Sequence, residues 1–195
     1  MAEPSPPNDV TLREIHSAQE VQARIDLLAE RMLEDYAGQS PLFVVIAEGA
    51  RTFSGELLRR LATRGLEPEV MFLRASRTQG SSLVQVRVEP VDPERFRNRD
   101  VVIVDDIADE GRTLEAVLQI VCRDGPRTLR VAVLVSKSGQ RRVKIPIDYV
   151  GFELKDGWVV GVGMDLGDRF RDLDYLAIVE NPSELLEKDT SDVRT

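Results

Sequence analysis

Two residue types that much enzyme chemistry relies on are nearly missing. The chain has a single cysteine, Cys122, and a single histidine, His16. One cysteine excludes an internal disulfide and a cysteine-built metal site. A Ser-His-Asp triad could use only His16, which follows Ile15 near the N-terminus without supporting context. His16 is expected to be structural or exposed, and Cys122, within an apolar pattern, to be a packed thiol. Positive charge is also short. Lysine and arginine number 26 against 34 acidic residues, a net charge of −8, which disfavours nucleic acid or an anionic membrane as partner. The arginines at 123, 127 and 130 and the Arg141-Arg142 pair read as solvated faces, although arginine also binds phosphate. No apolar run approaches a membrane span, and the N-terminus lacks the apolar stretch of a signal peptide. The expected setting is cytoplasmic.

What remains suits one domain with a full core: 195 residues, 42% hydrophobic and 31% charged. Residues 1–9 are proline-rich and expected to be disordered. Residues 181–195 read as a polar tail. An amphipathic helix is predicted over 18–36, with Val21, Ile25 and Leu28 on one face. Residues 42–47 are continuously apolar, as in a strand covered on both faces. They leave through Glu48-Gly49-Ala50-Arg51 into a helix over 52–61. Strands follow at 70–73 and 83–88, joined by a polar loop over 76–82 that suits an ordinary hairpin or a flexible flap.

The chain is organised around residues 101–114, Val-Val-Ile-Val-Asp-Asp-Ile-Ala-Asp-Glu-Gly-Arg-Thr-Leu. Four apolar residues end in Asp105 and Asp106, Asp109 follows, and helical spacing resumes at Leu114, Val117 and Val121. This predicts a buried parallel strand, an acidic loop and a helix N-terminus, where ligands of open α/β sheets bind. Backbone N–H groups at Gly111 to Thr113 would bind an anion, most plausibly a phosphate. The carboxylates suit sugar hydroxyls, a divalent cation or a proton. A strand at 129–135 and short strands near 149–153, 158–163 and 176–179 complete the order. The fold class is α/β, a mainly parallel sheet flanked by helices with a smaller β-rich subdomain. Gly161-Val162-Gly163 does not make a dinucleotide loop, because its spacing to Gly167 is wrong.

The central stretch resembles the phosphoribosyl-diphosphate (PRPP) motif of the type I phosphoribosyltransferases. Asp148-Tyr-Val-Gly-Phe-Glu153, Asp156-Gly-Trp-Val-Val-Gly161, Met164-Asp165 and Arg169-Phe-Arg-Asp-Leu173 resemble the hypoxanthine-guanine branch. The similarity runs over about residues 10–180, with a core near 40–140 and a purine-binding hood from the N-terminal segment and 145–180. It implies PRPP and a 6-oxopurine as substrates, Mg2+ as cofactor and a homodimer or homotetramer. Asp105 and Asp106 would hold ribose hydroxyls directly or through Mg2+, with Asp165 at a second Mg2+. Asp109 would lie near N7 of the purine, as the general base or its stabiliser. Glu110, Gly111, Arg112 and Thr113 would form the 5′-phosphate loop. Glu48, Gly49 and Arg171 would meet the diphosphate. Lys137 would read the C6 oxygen, and Trp158 and Val159 would contact the purine. Ser76 and Arg77 would belong to the flap.

Three positions depart from the commonest family pattern: Glu48 where lysine is usual, Glu110 where threonine is usual, and a flap without its tyrosine. Two like charges about 4 Å apart at an effective dielectric of about 20 repel by about 4 kcal/mol. Glu110 is therefore expected to turn away from the phosphate, toward Arg112. The departures define an alternative, a phosphoribosyltransferase fold that senses PRPP or a nucleotide with little catalysis. A phosphoacceptor receiver domain also uses an acidic pair and a lysine, but has no place for the hood motifs.

Overall fold

The computed structural model describes residues 10–79, 84–123 and 125–181; the side chains of 76–85 and 93 are outside the description. The N-terminal stretch 1–9 and the tail beyond 181 also lie outside it. In chain order the elements are β1 (Leu12–His16), α1 (Ala18–Asp35), β2 (Leu42–Ala47), α2 (Arg51–Thr63), β3 (Glu69–Gln79) and β4 (Val84–Val88). Then come β5 (Asp100–Ala108), α3 (Arg112–Cys122), β6 (Thr128–Lys137), β7 (Tyr149–Leu154), β8 (Trp158–Val160) and β9 (Leu176–Val179).

The main sheet has the order β4-β3-β2-β5-β6-β7, parallel except for the antiparallel edge strand β4. Its central strands are buried on both faces, which is why they read as unbroken apolar runs. One face packs Phe43, Val45, Val102 and Val104 against α1 and α2. The other packs Val44, Ile103 and Val131 against Leu114, Val117 and Val121 of α3. Ser17 caps α1 reciprocally with Glu20. Arg60 of α2 donates Nε–H to Asp26 of α1 at 2.9 Å and locks the two helices together. A second sheet, β1-β9-β8, is antiparallel and forms the hood. Val160, Leu166, Ala177 and Val179 make its own small core.

Four readings are corrected. β5 does not stop before the carboxylates but runs through them, because β6 keeps pairing with it as far as Ala108↔Ser136. Pairing with β2 on the other side ends at Val45↔Val104. β3 likewise continues through residues 76–79, read above as loop, in register with β4 from Ala75↔Val88 to Gln79↔Val84. Residues 80–83, the tip of the expected flap, lie outside the described residues, as do the side chains of Ser76 and Arg77. Cys122 is exposed, since the buried stripe of α3 ends at Val121. Arg127 and Arg130 are not merely solvated: Arg127 pairs with buried Asp100, and Arg130 with Asp35 and Tyr149. His16 is half-buried and stacks on Phe152 at 3.9 Å between ring centroids.

The chain leaves β2 toward β3 and leaves β5 toward β6, so the two adjacent exit loops diverge. Such a topological switch point opens a crevice at the carboxyl ends of the strands.

Candidate active site

The last residues of β5 carry the acidic pair into that crevice. Asp105 is 6% exposed and accepts from the N–H of Asp106 at 3.0 Å; Asp106 accepts from the N–H of Ile107 at 2.9 Å. Burial pushes the Asp106 carboxyl above the ordinary aspartate range, and hydrogen bonding to its neighbours opposes that shift. Beyond Asp109 the backbone turns at Gly111, whose φ of 89° is left-handed, and enters α3 with no capping side chain. A side chain at 111 would also sit tightly against the Val143 carbonyl at 3.2 Å, so it is chiefly the left-handed φ that favours glycine here. The positive end of the α3 dipole and its first-turn N–H groups therefore face the crevice beside Thr113.

Lys137 ends β6 and is 5% exposed; its Nζ lies 3.0 Å from Asp109 Oδ2. The other oxygen of Asp109, Oδ1, is buried without a hydrogen-bond partner. One carboxylate thus has one oxygen neutralised and one left to accept a proton. Glu110 is held away by two guanidiniums, with Arg112 Nε at 3.0 Å from Oε2 and Arg142 Nε at 3.0 Å from Oε1. Its carbonyl accepts from the N–H groups of Arg142 and Val143.

Across the crevice, Gly49 follows a cis peptide between Ala47 and Glu48. A methyl group at Gly49 would fall 2.1 Å from Asp106 Oδ2. The Glu48 carboxylate is shared between Arg74 at 3.7 Å and Arg51 at 3.8 Å. The hood rests on this loop: a Cβ at Gly163, whose φ is 100°, would lie 2.0 Å from the Gly49 carbonyl oxygen. Arg171 donates to the Gly163 carbonyl at 2.9 Å and pairs with Asp165 at 3.0 Å and Asp168 at 2.9 Å. Trp158 is 38% exposed and donates Nε1–H to the Asp165 carbonyl at 2.9 Å, so it is not a core aromatic. The Val159 side chain is in the main core instead.

The crevice is a cavity of about 800 Å³ bounded by Glu48, Gly49, Asp105, Asp106, Thr113, Asp165 and Arg171, among others. Of the residues predicted for the PRPP side it brings together Glu48, Gly49, Asp105, Asp106, Thr113 and Arg171; Glu110 and Arg112 line neither this cavity nor the recess beside it. Asp109 lines a separate recess of about 10 Å³ with Asp105, Gly111 and Thr113. Three charged lining residues were not singled out from the sequence, Arg74, Arg87 and Glu89. Arg74 directly follows the apolar run of β3, and a cation at a strand's carboxyl end was the available signal.

Five carboxylates line the cavity, those of Glu48, Glu89, Asp105, Asp106 and Asp165, yet among the described residues no group of three His, Cys, Asp or Glu converges on one point. An all-oxygen, incomplete donor set fits Mg2+, which keeps water and takes most of its remaining ligands from substrate phosphates. No helix among the described residues is long and apolar enough to cross a membrane.

The family model of the phosphoribosyl transferase domain matches residues 11–166. The hypoxanthine phosphoribosyltransferase of Escherichia coli K12 is 34% identical over 166 residues, covering 82% of this chain and 90% of that protein. The bifunctional protein TilS/HprT of Listeria monocytogenes is 32% identical over 164 residues, 84% of this chain; the match spans 25% of that longer relative. Among solved structures, the hypoxanthine phosphoribosyltransferase of Trypanosoma cruzi in complex with the product IMP superimposes with a TM-score of 0.80 at 26% identity. It covers 92% of this chain and 100% of that one.

Proposed function

Because the chain belongs to the phosphoribosyl transferase domain family, we propose that it transfers the phosphoribosyl group of PRPP to a 6-oxopurine. Hypoxanthine or guanine would give IMP or GMP and pyrophosphate, within one unit spanning residues 10–180. The observation that carries this reading is the divided state of Asp109, with Oδ2 bound to Lys137 and Oδ1 buried without a partner.

The reaction is a displacement at the anomeric carbon. N9 of the base bonds to C1′ as the bond from C1′ to the diphosphate oxygen breaks. The base must lose the proton on N7, and Asp109 Oδ1 is the acceptor within the site. Lys137 donates to the C6 oxygen, which favours an oxo over an amino substituent. The uncapped start of α3 receives the 5′-phosphate. Asp105 and Asp106 bind the ribose hydroxyls and, with Asp165, would hold Mg2+, whose contribution when bound is to neutralise the diphosphate. Trp158 stacks on the purine, with Val159 contributing backbone. Arg171, with Arg74 and Arg87, supplies positive charge on the diphosphate side. The flap role of Ser76 and Arg77, a cytoplasmic setting and a homo-oligomer belong to the same reading.

The sensor alternative drew on Glu48, Glu110 and the flap, whose tip lies outside the described residues. Both carboxylates are paired with arginines, so neither is left as an uncompensated charge toward phosphate. The test is steady-state turnover with PRPP, Mg2+ and hypoxanthine, guanine, xanthine or adenine in turn. The expected result is a 6-oxopurine nucleotide with adenine inert. Protein that binds IMP yet forms no nucleotide from any base would overturn the reading in favour of the sensor.

A further inference from the structure

Arg141 belongs to a pair that the sequence presents as solvated surface. Arg142 is exposed, but Arg141 turns inward. Its Nη2 donates to the Ala108 carbonyl at 3.0 Å, to Ser136 Oγ at 3.0 Å and to the Lys137 carbonyl at 3.2 Å. Its Cδ lies 3.3 Å from where a side chain at Gly111 would begin, and its Nε is buried without a hydrogen-bond partner. Ala108 ends β5 and Lys137 ends β6.

The strand ladder between β5 and β6 closes at Ala108↔Ser136. Asp109 and Lys137 lie beyond it: Lys137 still pairs with Leu154 of β7, while Asp109 is tied to β6 by its ion pair with Lys137 and by what bridges the two strand tips. Arg141 holds both. Its neighbours Arg142 and Val143 secure the next carbonyl, that of Glu110. A planar guanidinium can meet acceptors on two strands at once, which a lysine ammonium on the same stem cannot reproduce. Burial pushes the Arg141 guanidinium below its ordinary value, and Asp109 is the charge that opposes the shift. Asp109 thus interacts with two cations, Lys137 by direct contact and Arg141 through space.

We propose that Arg141 is a positioning residue for the Asp109–Lys137 pair, fixing the spacing of the β5 and β6 tips so that Lys137 meets Asp109 Oδ2 and Oδ1 stays available. It does not touch substrate. The catalytic consequence rests on the function proposed above; the positional one does not.

The test uses the full chain with Arg141→Met, which keeps the length of the stem, and Arg141→Lys, which keeps the charge. Two readouts are taken. The first is acetylation of Lys137 in the ligand-free protein, mapped by peptide mass spectrometry with Lys144 and Lys155 as internal references. Both variants are expected to label Lys137 several-fold faster, with the references unchanged. The second is steady-state kinetics. Displacement of a reacting group by about 1 Å costs up to about a hundredfold, so kcat/KM for hypoxanthine should fall by about tenfold or more while KM for PRPP stays within about twofold. If Arg141→Met does not fold, Arg141→Lys carries the test on both readouts. Wild-type labelling of Lys137 in a folded variant overturns the positional claim. Faster labelling in a protein whose wild type makes no nucleotide leaves it standing and removes the proposed function instead. Faster labelling with equal loss for both substrates overturns the selective role.

Discussion

Replacing Gly163 by alanine tests how tightly the hood is fastened to the Glu48–Gly49 loop. The new Cβ would lie 2.0 Å from the Gly49 carbonyl oxygen and 3.2 Å from its carbon, more than an ångström short of ordinary contact. Both obstructing atoms are backbone, so no rotamer relieves them. Gly163 is also pinned by Arg171, whose carbonyl accepts its N–H at 3.0 Å and whose guanidinium bonds its carbonyl at 2.9 Å. Overpacking of this kind costs about 1–3 kcal/mol, and a left-handed φ for an L side chain adds about 1–2 kcal/mol. The sum, about 2–5 kcal/mol, is less than the stability of a typical domain, about 5–15 kcal/mol. The chain should stay folded, with the hood and the Glu48–Gly49 loop forced apart. At about 2–4 °C per kcal/mol for a chain this size, Tm should fall by about 4–20 °C. KM for PRPP should rise by about tenfold, the equivalent of about 1.4 kcal/mol of the strain. Calorimetry and turnover at saturating hypoxanthine measure the two effects. Gly55→Ala is the control: it sits on the exposed face of α2 with nothing within 4 Å of a new Cβ and should stabilise by about 0.5–1 kcal/mol. A Gly163→Ala protein with wild-type Tm and wild-type KM would refute the reasoning.

Three further outcomes follow from geometry described above. Lys137→Ala strips the partner from Asp109 and the donor from the C6 site; it should weaken hypoxanthine and guanine selectively in competition assays, and equal loss for adenine analogues would remove the assigned role. Glu110→Gln should leave KM for PRPP within about twofold, because the carboxylate is turned to Arg112 and Arg142 and the backbone ties of residue 110 persist; a tenfold improvement would mean that the carboxylate does reach the phosphate. The Asp100 carboxyl is held below its ordinary range, first by the Arg127 hydrogen bond. A pKa depressed in the folded state gives stability that is present above the unfolded value, about 3.9, and lost as pH falls through the folded one. The Tm deficit of Asp100→Asn should therefore be widest near neutral pH and close on acidification; a deficit independent of pH would contradict the assignment.

The parts of the fold legible in the sequence were those governed by local pattern. The apolar run at 42–47 and the periodicities of α1 and α3 report burial directly, and their elements appear within a residue or two. What escaped depended on distant partners. β1 carries charges at Arg13 and Glu14 and forms because β9 offers it a ladder. β5 and β3 outrun their apolar cores because β6 and β4 keep supplying hydrogen bonds. At the site, the order of carboxylates, glycine and threonine sufficed to locate the crevice. Composition could not distinguish inward Arg141 from outward Arg142, since the difference lies in which strand tips happen to meet beneath them. Nor could it tell that Arg171 is engaged with Gly163, Asp165 and Asp168 inside the hood.

Trp158 is the only tryptophan in the chain. It stands half-exposed on the hood, its indole N–H fixed to the Asp165 carbonyl. Selective excitation of indole therefore reads one place in the molecule, without a label and without signal from the core. A purine laid on that ring would quench it through stacking. A diphosphate that shifts the Asp165 loop would alter the hydrogen bond at its edge and move the emission maximum. The same residue can thus separate the arrival of the base from the arrival of the sugar diphosphate, and stopped-flow traces of its emission would give the order in which the two substrates are taken up.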